Sequence, residues 1–165
     1  MSLGPTLKWL VPVLLGVLLL IAPAAKAQMP NPYGPNINTE TAKKAAEAAL
    51  AEARKNNWTM AAAVVDTSGT LVYFERIDNT QNGSSVVAID KARSAALFKR
   101  PTKALQDAVA AGGEGLRVLK LEGSVPLEGG VPLIADGKII GALGVSGGAS
   151  AQDGQCAKAG ADTVK

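Results

Sequence analysis

Two apolar runs, Val125–Ala135 and Lys138–Val145, meet at Asp136-Gly137. That dipeptide tolerates the positive φ needed at both central positions of a two-residue type I′ turn, whose twist matches the strands it joins. The segment therefore reads as an antiparallel hairpin. A lone hairpin is only marginally stable in water, so the rest of the chain must supply further strands and an apolar layer to cover them.

The remaining elements supply both. Met60–Asp66 and Leu71–Ile77 flank the turn sequence Asp66-Thr67-Ser68-Gly69 and predict a second hairpin. Ahead of it, Ala42, Ala45, Ala46, Ala49, Leu50 and Ala53 recur at helical spacing, with Asn38 or Thr39 placed to cap the helix. A second helix is predicted over Ser85–Lys99, capped by Ser84 or Ser85, with Val86, Ile89, Arg93, Ala96 and Leu97 on one face. Pro101 stops that helix and suits the start of the next, over Thr102–Ala111, which Gly112-Gly113 ends. After Ser146-Gly147-Gly148, Ser150 can cap a last helix reaching Val164. Hairpins alternating with helices give an α+β class, with an antiparallel sheet of about five strands flanked by helices.

The first residues do not belong to this domain. One cation, Lys8, precedes an apolar run from Trp9 to Ala22, and Pro23-Ala24-Ala25-Lys26-Ala27 then offers small residues at the positions a signal peptidase reads. The run is shorter than the ~20 apolar residues of a spanning helix. Residues 1–27 are expected to be a signal peptide cleaved before Gln28, residues 28–37 an extended leader, and 38–165 one domain. The mature chain is expected to be periplasmic or secreted, with no stable membrane insertion after cleavage. Without Lys8 and Lys26 it carries 15 cations against 14 acids. This balance argues against a nucleic-acid partner. Cys156 is the only cysteine, so no disulfide can form within the chain.

The complete absence of histidine excludes a Ser-His-Asp triad, a histidine zinc site and histidine-ligated haem. Two segments remain as candidates. Over residues 84–103, Lys91, Arg93, Lys99, Arg100 and Lys103 stand against a single acid, Asp90. Helical spacing groups Lys91, Ala95, Phe98 and Lys99, and separately Arg93 and Arg100. The cluster is either a solvated basic face or a pocket for a small anionic ligand, with Lys91, Arg93 and Arg100 meeting carboxylates and Phe98 as an aromatic wall. The second candidate is Leu127-Glu128-Gly129-Gly130-Val131-Pro132, where Gly129 and Gly130 permit close backbone approach by a ligand or another subunit.

The segments VVDTSGTLVYFERID, AIDKARSAALFKRPTKAL and LEGGVPLIADGKIIGALGVSGGAS, with the closing QCAKAG, resemble in content and order the GlcG/HbpS-like family of small haem-binding proteins, also present as the C-terminal part of PduO-type proteins. The resemblance implies a profilin-like antiparallel sheet flanked by helices, a homo-oligomer, and haem as cofactor. It also implies Pro101-Thr102 as the ligand region, with the Thr102 hydroxyl as iron ligand. Members that ligate haem through histidine are no guide here, and Val86 and Ile89 stand where others carry an iron-binding acidic pair. Three functions follow. One is haem or tetrapyrrole binding, with a role in haem, iron or redox sensing. Another is binding or conversion of a small organic acid, with Lys91 as acid/base or Schiff-base group and Glu128 as its partner. The third is an oligomeric accessory protein without its own ligand.

Overall fold

The computed structural model describes residues 30–165; the expected signal peptide lies outside the described residues. The chain runs α1 (Thr39–Lys55), β1 (Ala61–Val65), β2 (Leu71–Arg76), α2 (Asn82–Leu97), α3 (Thr102–Ala110), a 3-10 segment (Gly113–Lys120), β3 (Gly130–Ala135), β4 (Lys138–Ser146) and α4 (Ser150–Ala161). Four antiparallel strands in the order β2-β1-β4-β3 form one sheet, where about five were expected. The arm expected over Val125–Ala135 is a strand only from Gly130, and Val125–Gly129 is a loop: the Val125 N–H donates to Ser94 Oγ (3.1 Å) and that of Glu128 to Gln106 Oε1 (2.8 Å), so side chains satisfy groups a ladder would have paired.

β1 is central and buried on both faces. Ala62 and Val64 point with Leu133, Leu143 and Val145 toward α1 and α4, in a core that includes Met60 and Cys156. The opposite face packs on α2 through Ala61, Ala63, Val65 and Ala142. The face α2 presents is Ser84, Ala88, Lys91, Ala92 and Ala95, whereas Val86 and Leu97 of the expected face are exposed. The reason is steric. A Cβ at Gly144 of β4 would collide with the Ala88 carbonyl, so α2 rests directly on the strand, and larger side chains would hold it off.

Asn38 caps α1 as expected, accepting from the Thr41 N–H at 2.8 Å. The Asp136-Gly137 turn has positive φ at both residues (48° and 69°). Elsewhere the boundaries shift. α2 begins at Asn82, which places Ser84 inside the helix and buried, so neither Ser84 nor Ser85 is its cap. Ser150 opens α4 without capping it, and that helix stops at Ala161. The leader is tied down: Ile139 N–H donates to Pro32 O (2.9 Å) and Ile37 N–H to Ile140 O (2.7 Å), and the Tyr33 hydroxyl donates to Ala96 O (2.8 Å).

Candidate functional site

The eight residues singled out from sequence separate into three places. Lys91, Thr102, Glu128, Gly129 and Gly130 converge at the junction of α2, α3, β3 and α4. Lys91 is almost fully buried, and its Nζ donates to Asp153 Oδ2 (2.6 Å) and to Val145 O (3.1 Å). Asp153 lies in the first turn of α4, where the helix dipole favours a carboxylate. Its Oδ1 accepts from the Gly148 N–H at 3.0 Å. Burial pushes its carboxyl above the ordinary range, against the opposing pull of Lys91 and the backbone donors.

Gly129, at φ 125°, closes this junction; a Cβ there would stand 2.9 Å from Lys91 Nζ and 2.8 Å from Asp153 Cβ. The Gly130 N–H donates to Thr102 Oγ1 (2.9 Å), and that hydroxyl faces Gly130 O at 3.4 Å. The close backbone approach expected at the glycine pair is thus made by the chain's own α2 and α4. Two expectations change. The partner of Lys91 is Asp153, not Glu128, whose carboxylate lies over Gly154 of α4. Thr102 has no exposed surface, and its hydroxyl is engaged with Gly130, so an iron could reach it only by displacing that contact.

Arg93 stands apart. It is exposed, pairs with Asp90 (3.6 Å), and donates through Nε to Gly69 O (3.2 Å), bracing the β1–β2 turn.

Phe98 and Arg100, in the link between α2 and α3, border a groove of about 360 Å³ between α3 and the 3-10 segment. Leu105 of α3, Val118 of the 3-10 segment and Leu121 complete its apolar walls, and Arg117 and Glu114 add charge. The volume lies in the range of small-molecule sites. Arg117 contacts Glu114 only loosely, at 3.7 Å with both side chains largely in water, so its guanidinium is free to take another anion. Phe98 and Lys99 lie beyond the end of α2, and Lys99 packs 4.0 Å over the Tyr33 ring, so these two share no helical face with buried Lys91. Sequence reasoning missed Asp153, Arg117 and the 3-10 segment. Asp153 carried a signal in its place in the first turn of α4; Arg117, in a stretch given no element, carried none. Among the described residues no group of three or more histidines, cysteines or acids is placed to hold a metal ion, and no helix is long and apolar enough to cross a membrane.

Residues 37–162 match the family described as haem degrading protein HbpS-like. Protein GlcG of Escherichia coli K12 is 42% identical over 99 residues, covering 58% of this chain and 69% of its own length. The crystal structure of HbpS superposes with a TM-score of 0.73 at 31% identity, over 80% of this chain and 92% of that one. The crystal structure of a PduOC–haem complex gives 0.71 at 28% identity, over 79% and 96%.

Proposed function

The chain belongs to the HbpS-like family, and on that premise we propose that it binds haem or another tetrapyrrole in the groove between α3 and the 3-10 segment. The observation that carries this is the composition of the groove: apolar walls from Phe98, Leu105, Val118 and Leu121 suit a flat macrocycle, and Arg100 and Arg117 suit its carboxylates. A structural relative holds haem, which supports the same ligand class here. The walls and guanidiniums fit the macrocycle and its propionates. The lining does not fit the iron, because no histidine, cysteine, methionine or tyrosine belongs to it and Thr102 is sealed away. The organic-acid alternative loses its lysine, since the Lys91 amine is committed to Asp153 inside the fold.

The protein works, in this proposal, as an exported homo-oligomer in the periplasm or outside the cell. The exposed Leu116, Leu119, Leu121 and Leu127 favour burial against another copy. Titration with haemin is the test: a shifted Soret band saturating at a fixed stoichiometry per chain is expected. An unshifted band at micromolar protein would remove tetrapyrrole binding. Sequencing the exported protein should find Gln28 first.

A further inference from the structure

We infer that the groove recognises the carboxylated macrocycle and not the metal at its centre, so that it takes metal-free porphyrins as readily as haem; this presupposes the tetrapyrrole binding proposed above. Among the described residues, no histidine, cysteine, methionine or tyrosine lines the groove to discriminate iron. The chain has no histidine. Cys156 and Met60 are fully buried in the core between the sheet and α1/α4. The Tyr33 hydroxyl is given to Ala96 O, and the Thr102 hydroxyl to the backbone of Gly130. Glu114 is the only carboxylate of the lining, and it sits beside Arg117. What the groove does offer is apolar surface and two guanidiniums. Apolar contact depends on the ring, and a guanidinium pairs with a propionate whether or not a metal is bound.

The purified full chain is titrated with protoporphyrin IX, with haemin and with protoporphyrin dimethyl ester, following porphyrin fluorescence and Soret absorbance. Dissociation constants for the two free acids within about fivefold of each other, with the ester weaker by about tenfold or more, are expected. The double variant Arg100→Ala/Arg117→Ala should weaken both free acids by the same factor, because the contacts it removes do not involve the metal. Haemin binding more than about fivefold tighter than the metal-free acid overturns the inference but leaves tetrapyrrole binding standing. An ester that binds as well as the acid overturns it also, by removing the carboxylates from recognition. Failure of all three ligands overturns the binding proposal beneath it, and this inference with it.

Discussion

Lys91 and Arg100 are nine positions apart, yet the structure puts their charges to opposite uses. Lys91 is closed into the junction of α2 and α4, where Asp153, Val145 O and Gly129 surround it. Arg100 stands in water at the mouth of an apolar groove. The difference comes from the neighbours. α2 carries alanines and rests on Gly144, so a long side chain on that face is forced inward and needs a partner. Beyond Phe98 the chain leaves the sheet, and cations there meet solvent. A basic cluster in sequence is therefore two things in space, a structural ion pair and a ligand-facing rim, and mutations should separate them.

The largest effect is expected at the sealed pair. Lys91→Ala leaves Asp153 buried and uncompensated, which should destabilise the fold by about 3–5 kcal/mol in chemical unfolding. Replacing both partners with apolar residues, Lys91→Met with Asp153→Leu, should recover much of that loss, because removing a whole buried pair leaves no orphaned charge. A double variant as unstable as Lys91→Ala would show that the pair does more than close the junction.

At the rim the pattern should invert. Arg100→Ala or Arg117→Ala should change stability by less than about 0.5 kcal/mol, as exposed positions do. Each should weaken haemin binding about tenfold, the size expected for a charge-assisted contact. Stability loss without affinity loss would place the ligand elsewhere.

This division was only half legible in the sequence. The Asp136-Gly137 hairpin and the alanine stripe of α1 are local patterns, set by turn geometry and helical spacing, and the structure has both. The buried face of α2 is not local. Spacing favoured Val86 and Leu97, which are exposed, whereas packing chose Ser84, Ala88 and Lys91, because the glycine that lets α2 approach lies on β4. Asp153 escaped notice as the partner of Lys91 because 62 positions separate them. Val125–Gly129 looked like strand because its apolar content was visible, and the side chains of Ser94 and Gln106 that hold it as a loop were not.

Thr102 tests whether the sealed region touches the ligand at all. Thr102→Val keeps the shape and removes the hydroxyl, leaving the Gly130 N–H without its partner, at a cost of about 1–3 kcal/mol in stability. The haemin spectrum should be unchanged. A changed spectrum with unchanged stability would instead make Thr102 an iron ligand, as the family resemblance implies.

An effect confined to high pH reports on how dry the sealed side is. Cys156 lies one turn beyond Asp153 on α4 and is fully buried. Burial, assisted by the nearby carboxylates of Glu52 and Asp153, pushes its thiol from the ordinary 9.0 up to about 11. Below pH 9 the thiol is protonated in both the folded and unfolded chains and has no influence on the pH dependence of stability. Between 9 and 11 the unfolded chain loses this proton while the folded chain keeps it, so the equilibrium is drawn toward unfolding. The stabilisation associated with the neutral thiol is therefore full below pH 9 and lost as pH rises through about 11. Lysines and tyrosines also titrate there, so the quantity to follow is the stability difference between wild type and Cys156→Ala. That difference should shift against the wild type over this window. A flat difference would mean the thiol ionises as easily folded as unfolded, and that water reaches the α4 face beside the Lys91–Asp153 pair.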